Sequence, residues 1–301
     1  MGKRRVTDTT DFYAIDSGDE IEVGGRVYRV TGNEKERRFG MEDPKFWVKR
    51  AEDTVSGERK IIKLSYFESF STTLGGVEIR CCRNPKKEAD IVDFMKDHPD
   101  FMKGVSHSDE KGNSIRVLDI VHGQNFFVHI QSLYMNHKDY FQQEFPEILD
   151  KLITAFESIG ELHANGFKHG DIRNDHIIIE RHTGQYVWID FDYDYQTTEN
   201  PFSLDIFGLG NILLAAAGKG THSLYDIRNM EEYGDLFDRL APGDFSILEK
   251  WRFCNLQKLY GYVPDSLNRI LMHFSRDASV YYESVGEMVA DMKACRQAGW
   301  R

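Results

Sequence analysis

Short runs of alternating apolar and polar residues mark the first part of the chain, and this period of two predicts strands. Turn residues such as Ser56-Gly57 and His122-Gly123 separate the runs. The predicted strands are residues 26–30, 46–50, 60–64, 114–120 and 125–130. Asn84-Pro85 has the residue types of a helix N-cap and first helical position, so we expect a helix to begin there.

A helical period replaces this alternation after residue 133. From Phe145 to Ala164 the apolar residues recur on one helical face, and Gly166 follows at a position typical of a C-terminal cap. A hairpin is predicted next, with strands at 176–180 and 186–190, and several helices are predicted beyond residue 205. A strand-rich part followed by a helix-rich part predicts an α+β fold with a boundary near residues 131–136.

Composition and charge exclude several function classes. The 301-residue chain has a net charge of −11, which argues against nucleic acid as a partner because duplex-binding domains carry a basic excess. No apolar run approaches the ~20 residues of a membrane span, and no secretory signal is visible. The four cysteines match no zinc motif, so we expect reduced thiols in a cytoplasmic protein. Residues 1–20 are polar and acidic and are predicted to be a flexible leader.

The candidate chemistry lies between the long helix and the end of the hairpin. His169-Gly170-Asp171-Ile172-Arg173 follows the helix, and Asp190 closes the hairpin. We expect the two aspartates at opposite ends of one compact unit to converge on a small volume. Phosphoryl transfer needs positioning, metal ions on the phosphates and a carboxylate near the attacking hydroxyl, so this pair fits that chemistry.

The segment His169–Arg173 resembles the catalytic loop of protein kinases, and Asp190-Phe191-Asp192 resembles their metal-binding motif. The resemblance implies a bilobal fold, with a β-rich N-lobe at 21–132 and a helical C-lobe at 133–301. It implies that Asp171 orients or deprotonates the acceptor hydroxyl and that Arg173 contacts the transferring phosphate. Asp190 is expected to hold the metal ion, so ATP and Mg²⁺ or Mn²⁺ are the implied cofactors.

Further matches to protein kinases follow in chain order. Ile61-Ile62-Lys63 resembles the strand whose lysine binds the ATP phosphates, and Glu88 is the best candidate for its ion-pair partner, with Glu78 as the alternative. The neighbouring Lys86-Lys87 is predicted to be a solvated face. Asp205, in the segment 203–210, is expected to support the backbone amides of the catalytic loop.

The nucleotide is also expected to contact residues outside these motifs. Gly32 and Gly40 are predicted to frame a phosphate-covering loop, although they lack the regular glycine spacing of the family. Gln131 and Leu133, at the boundary between the two parts, are expected to contact the nucleotide.

The chain departs from the family in ways that agree with one another. Gly170 stands where many kinases have the Arg that receives a phosphorylated activation loop. Only 14 residues separate Asp190 from Asp205, and no Ala-Pro-Glu is present, so control by activation-loop phosphorylation is not expected. His176 replaces the Asn that holds a second metal ion, and Asp192 replaces a Gly. The predicted metal ligands are therefore Asp190, Asp192 and His176.

Three functions remain open. The leading prediction is a divergent protein Ser/Thr kinase with a short activation segment. The second is a small-molecule kinase similar to aminoglycoside and choline kinases, which also have a short segment and His-Gly-Asp. The third is a pseudokinase that acts as a nucleotide-binding or scaffolding module. His176 and the irregular glycine loop favour it, whereas the presence of Lys63, Asp171 and Asp190 opposes it. The acceptor is thus a protein or a small-molecule hydroxyl.

Overall fold

The computed structural model describes residues 4–38, 41–229 and 231–299. Within these ranges the chain forms two compact units. The first comprises the described parts of Met1–Ser69, Cys82–His122 and Ile189–Asp194. The second comprises the described parts of Phe70–Cys81, Gly123–Trp188 and Tyr195–Arg301. The assignment of 21–132 and 133–301 as kinase lobes stays a prediction.

The strands of the described ranges are, in chain order, β1 (Arg5–Val6), β2 (Glu20–Val23), β3 (Arg26–Arg38), β4 (Met41–Asp53), β5 (Arg59–Lys63), β6 (Ser69–Leu74), β7 (Val77–Arg83), β8 (Gly104–Ser108), β9 (Ser114–Asp119), β10 (Gly123–Asn125), β11 (Ile177–Glu180), β12 (Tyr186–Trp188) and β13 (Tyr193–Gln196). The α-helices of the same ranges are α1 (Pro85–Phe94), α2 (Phe126–Ser132), α3 (His137–Gln143), α4 (Phe145–Ala164), α5 (Ser203–Ala217), α6 (Leu224–Asn229), α7 (Leu256–Leu259), α8 (Asp265–Met272) and α9 (Val285–Ala298). Strands concentrate in the N-terminal region and helices in the C-terminal part, so the predicted α+β fold class is confirmed.

A seven-stranded sheet forms the first unit, in the order β1-β2-β3-β4-β5-β9-β8. Only β1 and β2 pair in parallel among these strands. The predicted strands at 26–30, 46–50, 60–64 and 114–120 are confirmed. Helix α1 begins as predicted, because the Asn84 side chain accepts a hydrogen bond from the Lys87 amide and Pro85 occupies the first turn.

The segment 4–20, for which the sequence predicts a flexible leader, packs on this sheet. Arg5–Val6 pairs with β2, and a 3-10 helix follows at Phe12–Ala14. Val6, Phe12 and Ile15 are buried in the same core cluster as the apolar residues of the sheet. A few apolar anchors therefore hold a mostly polar segment in place.

One predicted strand is wrong. Residues 125–130 were expected to be extended, but α2 begins at Phe126. Asn125 is the N-cap, and its side chain accepts a hydrogen bond from the Val128 amide. Phe126 and Ile130 are buried four residues apart, which is helical spacing, while Phe127 and Val128 remain exposed. The N-cap and this spacing prevail over the β propensity of the run.

Helix α4 belongs to the second unit and has the predicted bounds. Its apolar face is buried, and the Trp188 indole of β12 donates to the Ala155 carbonyl at 2.8 Å. Strands β10, β11 and β12 form a three-stranded sheet, and a further sheet has the order β13-β7-β6. All four cysteines lie within the described residues and have free thiols. No helix in the described ranges is long and apolar enough to cross a membrane.

Candidate active site

Lys63 and Glu88 form a buried ion pair in the first unit. Lys63 ends β5, Glu88 lies in the first turn of α1, and their Nζ and Oε1 atoms are 2.6 Å apart. Glu88 has no solvent exposure. Of the two carboxylates that the sequence leaves open as partners of Lys63, Glu88 therefore makes the pair.

Arg116 is a third member of this group that sequence reasoning missed. It lies on β9 directly opposite Lys63 on β5, so two cations face each other across neighbouring strands. Its Nε atom is 3.0 Å from Oε2 of Glu88, which therefore binds one cation through each oxygen. A cation flanked by the buried Ile115 and Val117 is the sequence signal that could have identified it.

Asp190 also forms an ion pair with Lys63, and its backbone has an unusual conformation. Its Oδ1 is 2.6 Å from Lys63 Nζ, and its φ of 62° lies in the left-handed region. This conformation costs a non-glycine residue about 1–3 kcal/mol and is typical of functional sites. Burial alone would lower the pKa of Lys63, but Asp190, Glu88 and Asp192 together raise it above the ordinary value for lysine. Lys63 is therefore a fixed cation at neutral pH.

The Asp192 carboxylate is almost fully buried and is bound to Arg83 in an ion pair. It also lies 3.8 Å from Lys63. Burial alone would raise the pKa of Asp192, but the charges of Lys63 and Arg83 hold it below the ordinary value. Because two cations already bind Asp192, it is a poorer metal ligand than Asp190. This geometry favours a structural role for Asp192, and its predicted role as a metal ligand stays a prediction.

In the second unit, Asp205 supports the backbone of the predicted catalytic loop. Its two carboxylate oxygens accept hydrogen bonds from the amides of His169 at 2.7 Å and Gly170 at 2.9 Å, as predicted. His163 Nε2 is 2.9 Å from the same carboxylate. Burial alone would raise the pKa of Asp205, but the hydrogen bond and charge of His163 hold it below its usual range. Gly170 has a φ of 87°, so an Arg at this position would be strained.

Asp171 and Arg173, which are predicted to be catalytic, and His176, which is predicted to bind metal, lie in or next to this loop. The guanidinium of Arg173 forms two hydrogen bonds with the Asp175 carboxylate, at 3.1 and 2.8 Å, and lies 4.0 Å from Oδ1 of Asp171. His176 is buried, and its Nδ1 is 2.7 Å from the Asp171 carbonyl oxygen. His169 is also buried, and its Nδ1 accepts from the Asp171 amide at 3.3 Å. Both histidines thus brace the backbone of Asp171.

Of the four further residues predicted to contact the nucleotide, the structure describes three. Gly32 lies in β3, where the pairing register with β4 shifts between Val30 and Gly32. Gly40 falls outside the described residues. Gln131 is exposed in α2, and Leu133 is the C-cap of that helix. Their contact with nucleotide stays a prediction.

Across the described residues, no group of three or more His, Cys, Asp or Glu side chains is arranged to hold a metal ion. Asp190 is the best candidate for a metal ligand, because its side chain is 27% exposed and carboxylate oxygens are the donors that Mg²⁺ prefers. His176 fits less well, since its Nδ1 already contacts the Asp171 carbonyl. Lys63, Glu88, Asp190 and Asp192 belong to the first unit, and Asp171, Arg173 and His176 belong to the second.

Comparison with known proteins finds a distant relative. No protein-family model matches the chain. Over 237 residues it is 24% identical to a probable myosin light chain kinase of Dictyostelium discoideum. The alignment covers 76% of this chain and 65% of the relative, so the chain spans less than two thirds of the relative's length. This similarity supports a kinase-like relationship.

Proposed function

We propose that the protein is an ATP-dependent phosphotransferase that transfers a phosphoryl group to a hydroxyl acceptor. The observation that carries this proposal is the buried pair of Lys63 and Glu88 together with the partly exposed Asp190, with both carboxylates 2.6 Å from the lysine. Taking the charges of Lys63 and Glu88 out of water is costly, and such groups concentrate at functional sites. The similarity to a probable kinase supports the same reaction class.

The chain's own residues divide the work. Lys63, held protonated by its carboxylate neighbours, would bind phosphate oxygens of ATP. Asp190 would hold a divalent metal ion, which when bound neutralises negative charge on the phosphates. Asp171 would orient the acceptor hydroxyl and accept its proton, while Arg173 would stabilise charge on the transferred group. The first unit would then serve as the nucleotide-binding lobe and the second as the catalytic lobe.

The preferred acceptor is a Ser or Thr hydroxyl of a protein, either another protein or this chain itself. The name of the distant relative and the segment 203–210 support this choice. A small-molecule hydroxyl is the alternative, because only 14 residues separate Asp190 from Asp205, fewer than a peptide platform needs. A nucleotide-binding module without transfer is the third candidate.

A single incubation separates these candidates. The purified protein is mixed with γ-labelled ATP and Mg²⁺ or Mn²⁺, with and without a metabolite mixture, and Asp171→Asn is the matched variant. Label on the protein or on an added basic protein supports a protein kinase. Transfer only with metabolites supports a small-molecule kinase. Nucleotide binding without transfer by the wild type refutes the proposal.

A further inference from the structure

Two adjacent lysines of α1 have opposite surroundings. The side chain of Lys86 is 84% exposed and its Nζ is 3.2 Å from Asp90 on the same helix. Lys87 is 9% exposed, and its Nζ donates to the carbonyl oxygens of Phe191 and Tyr193, both at 2.6 Å. The predicted solvated face is therefore correct for Lys86 and wrong for Lys87, because the helix turns Lys87 towards the segment that follows Asp190.

The backbone of that segment is bound at three consecutive positions. Between the two carbonyls bound by Lys87, the Asp192 carbonyl accepts a hydrogen bond from the Asn84 amide at 2.6 Å. Asn84 is also the N-cap of α1. The first turn of α1 thus fixes the path of residues 191–193. Since Asp190 precedes this path and Glu88 lies in the same turn, both carboxylates on Lys63 are fixed together.

Arg83 binds the same segment through its side chain. Its guanidinium lies 4.2 Å from the ring centroid of Tyr193, 5.1 Å from that of Trp47 and 5.7 Å from that of Tyr66. It pairs with the Asp192 carboxylate and donates to the Tyr193 hydroxyl at 2.5 Å. The guanidinium group is planar and rigid, so stacking and ion pairing together fix its position. Arg83 is therefore well suited to hold the start of α1 next to the segment 191–193.

We propose that Arg83 and Lys87 are positioning residues, and we call them, with Asn84 and Asp192, the α1 clamp. The clamp holds α1 against residues 191–193, so that the Lys63–Glu88 pair forms without phosphorylation of the chain. The inference rests on the proposed phosphotransferase function. It explains how the site is assembled in a chain with Gly170 and with 14 residues between Asp190 and Asp205. It also gives Asp192 a role in place of metal binding.

The test compares Lys87→Met with Lys86→Met, a matched control one residue away on the same helix. Phosphotransfer is followed as kcat and KM for ATP, and amide hydrogen exchange is measured over residues 190–194. We expect Lys87→Met to lower kcat by about 10- to 100-fold and to speed exchange of these amides, because small misplacements of catalytic groups are costly. Lys87→Arg keeps donors for the two carbonyls and should restore part of kcat. Lys86→Met should behave as wild type.

Equal exchange and equal kcat in the two methionine variants would overturn the clamp. Amide hydrogen exchange reports on the clamp even where no phosphotransfer is detected. A failure of the proposed function and a failure of the clamp are therefore distinguishable. If Lys87→Met does not fold, Asp192→Asn and Arg83→Met take its place. Each should lower kcat and speed the exchange, and the loss in the double variant should be smaller than the sum of the two single losses because Arg83 and Asp192 form one ion pair. A higher Mg²⁺ requirement in Asp192→Asn alone would instead make Asp192 a metal ligand and overturn its place in the clamp.

Discussion

Glu88→Gln is the most informative single change in the first unit. Glu88 is fully buried and has one cation on each oxygen, Lys63 at 2.6 Å and Arg116 at 3.0 Å. Glutamine has nearly the same shape but no charge. The substitution therefore leaves two cations opposite each other on adjacent strands, with Asp190 as the remaining carboxylate within 2.6 Å of Lys63.

The expected loss in the free energy of unfolding depends on which ion pairs remain in the variant. Removing one partner of a buried ion pair costs about 3–5 kcal/mol. Because Lys63 keeps Asp190, we expect the low end of that range, about 3 kcal/mol. The pKa of Lys63 is raised above its ordinary 10.5. Its contribution to stability is therefore fully present below about pH 10.5 and is lost only as pH rises through the folded-state pKa, so a measurement near pH 7.5 records it in full.

The assay is urea unfolding followed by tryptophan fluorescence, with Glu78→Gln as the control. Glu78 is exposed on β7, and we expect its variant to differ from wild type by less than about 0.5 kcal/mol. A loss below about 1 kcal/mol for Glu88→Gln would show that the ion pairs do not hold α1 on the sheet. The reasoning on Lys63 and Arg116 would then fail.

Three further changes test other parts of the molecule. Asp205→Asn should cost about 1–3 kcal/mol and lower phosphotransfer, because the new amide group would face backbone donors, and urea unfolding with the labelled-ATP assay would detect both. Phe12→Ala should cost about 3 kcal/mol in the same unfolding assay if the segment 4–20 is part of the core. Burial lowers the pKa of His137 from 6.5 to about 4. The stability from its neutral ring is therefore present above pH 6.5 and is lost as pH falls toward 4, by at most about 2 kcal/mol at pH 5. His137→Phe should show a shallower loss between pH 7 and pH 5, and an unchanged slope would contradict the assignment.

The sequence predicted long, strongly patterned elements well. The apolar face of α4 repeats over its whole length, so local pattern and tertiary packing agree. Helix α2 was mistaken for a strand because it is seven residues long, too short for its period to outweigh its β-forming residues. Packing of the segment 4–20 was missed since its apolar anchors are few and widely spaced.

Within the candidate site, the sequence identified the residues that lie in motifs but not the residues that contact them in the fold. Lys63, Glu88 and Asp190 occur in recognisable local patterns. Arg116 depends on the pairing of β5 with β9, more than fifty residues apart along the chain, which no local pattern specifies. Lys86 and Lys87 are identical residues in sequence, and only the rotation of α1 about its axis distinguishes them.

The most direct test of the phosphotransferase proposal is phosphoryl transfer from γ-labelled ATP by the wild type and by Asp171→Asn, with the metal ion and nucleotide saturating. We predict metal-dependent transfer by the wild type and a loss of about 100-fold or more in the variant, whose nucleotide affinity is retained. Transfer that is equal in the two proteins, or absent from both while ATP binds, would contradict the proposed function.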